Sequence, residues 1–168
     1  RMTPEVLAQV MEATWPPARA WGLGPFTLRD GAGGGKRVSA ASCEGAWTEV
    51  ELAAAEAAMA EPLFLIRAGD AALDAALAAR GYRVVDPVLA HAAPVTALAG
   101  EVPWLTTFPH WPPLEIARGL WAEGGIGPAR VGVMEWVMGP KTAVLARMED
   151  RPAGVVFVAM AGPEAMLH

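Results

Sequence analysis

The chain has 168 residues, enough for one ordinary domain or two small ones. Its 13 Lys and Arg against 18 Asp and Glu leave a formal net charge of −5, which argues against the dense basic face that nucleic-acid backbone requires. At 54% hydrophobic and 18% charged, the composition excludes a disordered chain and implies a large core or an apolar surface made for a partner.

No apolar run approaches ~18 residues without charge, Gly or Pro, so no membrane-spanning helix is expected. The opening Arg1-Met2-Thr3-Pro4-Glu5 has no signal-peptide pattern, and Met2 reads as a start residue. Cys43 is the single cysteine, which leaves no internal disulfide and no cysteine metal cluster; a cytoplasmic setting is the expectation.

In chain order, Thr3 caps a first helix with Pro4 at its first position. Leu7, Val10 and Met11 supply one buried face, and Pro16-Pro17 ends the helix after Trp15. Residues 23–30 read as a short strand, Gly31 to Gly35 as a turn, and Lys36 to Ser42 as a returning strand. Thr48-x-x-Glu51 is a capping box, flanked by Trp47 and Leu52 as a hydrophobic staple, for a helix reaching about Ala60. Leu63-Phe64-Leu65-Ile66 is short and apolar enough for a strand buried on both faces. Asp70 caps a helix carrying Leu73 and Leu77, Gly81 ends it, and strands are expected over Tyr82–Val85 and Val88–Val95.

Residues 101–113 hold four prolines and three large aromatics and read as a linker. A helix is expected near 113–123 with Ile116, Leu120 and Trp121 inward, and Gly127-Pro128 opens a further short turn. Residues 131–138 alternate as a strand, 142–148 and 155–160 form a hairpin about a polar turn, and Met166-Leu167-His168 opens one more strand. An apolar strand at a chain end leaves an unpaired edge, so either a partner pairs with it or the polypeptide continues; continuation is the expectation.

The segment Leu63-Phe64-Leu65-Ile66-Arg67, then Leu73-x-x-x-Leu77-x-x-x-Gly81-Tyr82-Arg83-Val84-Val85, resembles the distal half of a GNAT-family acetyltransferase domain. Trp21 to Ser42 is similar to the N-terminal domain of tandem GNAT proteins, and the helix near 113–123 with the hairpin Ala143–Arg147 and Val155–Val158 resembles the opening of a catalytic GNAT domain. The resemblance implies an α/β (α+β) fold with a GNAT-like, mixed and mostly antiparallel sheet flanked by helices. Residues 1–98 would be a degenerate first domain, 99–112 a Pro/Trp-rich linker, and 113–168 the first part of a second domain.

It further implies an N-acetyltransferase that passes the acetyl group of acetyl-CoA directly to a small-molecule or peptide amine. That family's Arg/Gln-x-x-Gly-x-Gly/Ala loop, whose backbone amides hold the pyrophosphate, has no counterpart in these residues. The 168 residues alone are therefore expected to be silent. The alternative is a non-enzymatic binding module that dimerises, pairing through its terminal strand with a twin subunit.

Individual motifs carry little more. Gly31 to Lys36 fails as a phosphate loop, with Asp30 where the first glycine belongs and Arg37 where a hydroxyl belongs. His91, His110 and His168 have no metal-ligand spacing; His91 reads as a core or edge residue of a strand and His110 as a weak site candidate. Glu44 beside Cys43 argues against a reactive thiolate. Glu135, the one acid on the expected strand 131–138, is the candidate base for deprotonating an ammonium, although a charge at a strand edge is the simpler reading. Trp104, Phe108, Trp111 and Trp121 could line an acceptor pocket, or simply pack an interface.

Overall fold

The computed structural model describes residues 2–168. Helix α1 spans Pro4–Thr14, begun as expected by the Thr3 side chain accepting from the Val6 amide and by Pro at the first turn. Its buried residues, Val10 and Thr14, lie one turn apart on the inward face. Strands β1 (Arg19–Leu23) and β2 (Phe26–Asp30) form an antiparallel hairpin. Its turn is Gly24-Pro25, where Gly24 takes a φ of 59° that a side chain would resist. The glycine run at 31–35 is therefore not the hairpin turn. A 3-10 turn at Lys36–Val38 follows it, and the returning strand shrinks to β3, Ser42–Cys43, paired with Phe26 and Thr27 of β2.

Helix α2 (Glu49–Ala57) carries the complete capping box, and helix α3 (Ala71–Ala79) buries Leu73 and Leu77. Between them the Leu63–Ile66 run makes one parallel bridge, Ala41 with Phe64, through Ala41 N–H to Leu63 O (2.9 Å) and Leu65 N–H to Ala41 O (2.8 Å). The expected strand buried on both faces is thus a half-buried segment with Ile66 exposed, because only one neighbour pairs with it. Neither Tyr82–Val85 nor Val88–Val95 is a strand; the chain runs there without regular structure into a four-residue helix α4, Val95–Leu98.

Part of the expected linker is a strand. Thr107–His110 forms β4, the edge of a second sheet, where Pro109 can sit without a ladder donor. Helix α5 covers Glu115–Glu123 and helix α6 covers Pro128–Trp136. The expected strand 131–138 is corrected to this helix. Gly127 as N-cap and Pro128 in the first turn start it, and Val131, Met134 and Val137 are buried at helical spacing. Strands β5 (Lys141–Met148), β6 (Arg151–Ala161) and β7 (Glu164–Leu167) complete an antiparallel meander ordered β4-β5-β6-β7.

The fold is mixed α+β, with one three-stranded and one four-stranded antiparallel sheet. In chain order α1 precedes β1-β2-β3 and α6 precedes β5-β6-β7, the latter sharing its sheet with β4. One core gathers Phe26, Leu28, Ala41, Leu52, Leu73 and Leu77 between the first sheet and α2 and α3. The other surrounds Phe157 with Trp121, Val131, Val133 and Met134, and takes Trp15 and Val38 from the N-terminal part of the chain. Helix α1 packs on β6 and β7, so the second core is closed partly by the N-terminal part of the sequence.

Candidate functional site

At the carboxyl ends of the parallel pair Ala41 and Phe64 the two segments separate and each leads into a helix. This bridge stands outside both sheets, and the space beyond it lies between the approaches to two helices. Here it forms a shallow cleft of about 370 Å³ lined by Cys43, Gly45, Trp47, Gly69, Asp70 and Leu73, among others. Gly45 (φ 94°) and Gly69 (φ 105°) turn the chain at its two rims in a conformation a side chain would strain.

The electrostatics of this cleft are acidic. Glu51 accepts from the Thr48 amide (2.8 Å) and hydroxyl (2.7 Å), while the Thr48 hydroxyl accepts from the Glu51 amide (3.3 Å). The start of α2 is therefore occupied by its own residues. Glu44 pairs with Arg67 at 3.0 Å, and an Asp70 carboxylate oxygen accepts from the Arg67 amide at 2.8 Å. Burial, then the neighbouring Asp70, Glu44 and Glu51, push the Cys43 thiol up from its ordinary range, so it remains a thiol that donates to Gly45 O (3.6 Å). Asp70 lines the cleft and Glu44 and Glu51 lie near Cys43, which disfavours an anion, while the start of α3 at the cleft carries no side-chain cap.

A second, shallower concavity of about 320 Å³ lies between the glycine turn at Gly33 and Gly35 and the start of α6 at Gly127–Arg130. Lys36, which follows that turn, is paired with Asp86.

Of the four aromatics only Trp111 and Trp121 meet one cluster, the second core around Phe157. Trp121 is buried in the second core. Trp111 rests against Phe157 (centroids 5.6 Å) and under the Lys141 ammonium (4.9 Å). Phe108 lies half-buried on β4 beneath Arg147 (5.9 Å), and Trp104 projects into solvent. Glu135 lies on α6 rather than a strand, exposed and 3.5 Å from Arg118. His91 is exposed in an irregular segment instead of lying in a strand. His110 Nδ1 meets Phe108 O at 3.0 Å, while its Nε2 is buried without a protein partner.

Three polar anchors have little sequence signal. Arg29 is buried and donates to Glu12 (3.0 Å), Ala40 O (2.9 Å) and Ser42 Oγ (3.0 Å), tying α1 to the first sheet. Lys141 donates to the carbonyls of Met134 (3.1 Å), Glu135 (2.7 Å) and Val137 (2.8 Å) and so closes the end of α6. Burial lowers its pKa, against a smaller opposing pull from Glu135. A cation just after a helix is the one clue the sequence offered. His168 stacks on Trp15 (4.9 Å) between Arg37 and Thr14, joining β7 to the first helix.

Among the described residues, no group of three or more His, Cys, Asp or Glu is placed to hold a metal ion, and no helix is long and apolar enough to cross a membrane. The fold is that of a mixed α+β protein with two antiparallel sheets. Comparison with family models, curated proteins and solved structures gives no match.

Proposed function

We propose that this chain is the scaffold of a GNAT-type N-acetyltransferase, in which an acetyl group passes from acetyl-CoA directly to a small-molecule or peptide amine. The observation that supports the reading is the pair of antiparallel sheets, three- and four-stranded, whose consecutive strands each follow a helix in chain order, in keeping with a tandem arrangement. The carboxylates near this cleft, Asp70, Glu44 and Glu51, support the N-terminal part's being the degenerate copy, because they disfavour the pyrophosphate that acetyl-CoA carries. No step is assigned to that cofactor within these residues. Direct transfer needs no covalent acyl-enzyme, in keeping with a Cys43 thiol held protonated. A net charge of −5 goes with a neutral or cationic acceptor, and a single cysteine goes with cytoplasmic residence.

The test uses the product of the whole reading frame that contains these residues. It is titrated with acetyl-CoA by calorimetry, then incubated with a panel of amines while CoA thiol release and acetylated product are measured. Amine-dependent release supports the reading, with the 168 residues alone silent. A folded whole product that neither binds acetyl-CoA nor releases CoA refutes it. A second reading, a non-enzymatic binding or dimerisation module, is favoured by one observation: the exposed apolar stretch between residues 84 and 105.

A further inference from the structure

Between α3 and β4 the chain leaves the packed body, and every residue from Arg83 to Leu105 is exposed. The chain on either side is anchored. The Tyr82 amide donates to Leu77 O (3.1 Å), and its ring packs edge-on against Phe64 beside the first core (5.6 Å). Thr106 O accepts from the Arg147 amide (2.7 Å), which seats the chain at the start of β4. The connection between these anchors is longer than the ~12–15 residues above which a loop is ordinarily a working segment or a linker.

Little holds this connection down. From Arg83 to Ala93 no residue lies in a helix or strand. Among the described residues, no backbone–backbone hydrogen bond joins residues 83–102 to the rest of the protein. Asp86 pairs with Lys36, but both side chains are more than half exposed, so water screens the pair. Chain without buried contacts sits at the low end of local stability and is where nicking concentrates. A protease takes its substrate as extended backbone with free N–H and C=O groups, which this stretch presents without unfolding anything. Its side chains select the protease class. Val84, Val85, Val88, Leu89, Val95 and Leu98 are all exposed, whereas no Lys or Arg occurs between Arg83 and Arg118.

The parts on either side hold one another by other means. Helix α1 packs on β6 and β7, and Trp15 and Val38 belong to the core around Phe157. His168 stacks on Trp15 (4.9 Å) and meets Thr14 Oγ1 and Arg37 at 3.0 Å each. All of these contacts join a residue before position 39 to one after position 105. We infer that residues 84–98 are a processing site, at which an endoprotease selective for apolar side chains converts the protein into a two-chain form that stays assembled. Water adds across one peptide bond, leaving a carboxylate on the N-terminal piece and an ammonium on the C-terminal piece. Both new ends lie in solvent, and no packed residue has to move. The inference goes beyond the acetyl-transfer reading and stands whether or not that reading does, because its readout is cleavage and mass rather than activity.

The probe is thermolysin, which cleaves before large apolar residues, applied sparingly to the purified 168-residue protein while fragment masses are followed. The first cuts are expected between residues 83 and 98, at least ~10-fold faster than any elsewhere. The nicked protein should elute in gel filtration where the intact one does, keep its circular dichroism, and part into two pieces only in urea. Trp15→Ala removes the largest side chain that joins the two parts. Its nicked form should part at lower urea than the nicked parent. Should the uncut Trp15→Ala chain fail to fold, His168→Gln at the same junction gives the same reading. A first cut outside the stretch overturns the inference. So do pieces that separate without denaturant, or a nicked variant that holds together as firmly as the nicked parent.

Discussion

Acidification should loosen the join between the two halves of the molecule through one imidazole. His168 continues the β7 ladder, exchanging backbone bonds with Phe157 (2.8 and 3.3 Å). Its ring stacks on Trp15. Arg37 has only protons to give, so it donates to Nδ1 at 3.0 Å, which leaves the remaining proton on Nε2. That Nε2–H faces Thr14 Oγ1 at 3.0 Å, and the Thr14 hydroxyl donates to Val10 O at 2.7 Å. The chain of donors runs in one direction, and a proton on Nδ1 would oppose the guanidinium. Burial first, and the Arg37 charge second, lower the His168 pKa from 6.5 to about 4.

The sign follows from proton counting. As pH falls through 6.5 the unfolded chain protonates this ring, while the folded chain does not until about 4. Across that window the unfolded state holds more protons, so folding stability declines with falling pH and this contribution is exhausted below about 4. The interval corresponds to about 3 kcal/mol for a fully buried ring. His168 is only half-buried, and solvent screening reduces the expected loss to on the order of 1–2 kcal/mol. Urea denaturation between pH 7 and pH 4 measures it, with His168→Gln as the reference that subtracts the carboxylates. The stability gap between the two proteins should change by that amount over the window. An NMR midpoint for His168 near 6.5, or parallel pH profiles for protein and variant, would refute the assigned network.

Two further outcomes test the packing and the cleft. Gly34→Ala would set a Cβ against Val133 Cγ2 of α6 and 2.9 Å from Gly31 O, so it should destabilise by on the order of 1–3 kcal/mol; Gly100→Ala, with open space around it, should stay within ~0.5 kcal/mol in the same thermal melt. Cys43, buried among carboxylates, should be alkylated by iodoacetamide at pH 7.5 at least ~10-fold more slowly in the folded than in the urea-unfolded protein, and equal rates would contradict the cleft as described.

Local chemistry was legible and pairing was not. Thr3-Pro4 and Thr48-x-x-Glu51 announce helices because a cap is written within four residues, and both helices are present. The hairpin at 141–161 was readable because long apolar runs bracket a polar turn. Leu63–Ile66 and Val88–Val95 have strand composition, but a strand exists only where another strand accepts its backbone. One of them finds a single bridge and the other finds none. In 131–138 both periods place valines inward, and Gly127-Pro128 immediately upstream was the feature that should have decided for a helix. Glu135 and the aromatics were assembled by kind and proximity in sequence. Trp121 went to the core and Trp104 to solvent, because burial is decided by the helix face and the strand register that the chain alone does not state.

The capping box sharpens what the first unit can do. A helix start offers free amides once, either to its own residues or to an anion. In α2 the Thr48 hydroxyl and the Glu51 carboxylate take that role, with Glu49 and Glu51 both in the first turn. The feature that made α2 the clearest element in the sequence is thus the one that closes its start to a phosphate. If the chain serves acyl transfer, its first unit serves as structure: it supplies Trp15 and Val38 to the second core and holds α1 across β6 and β7.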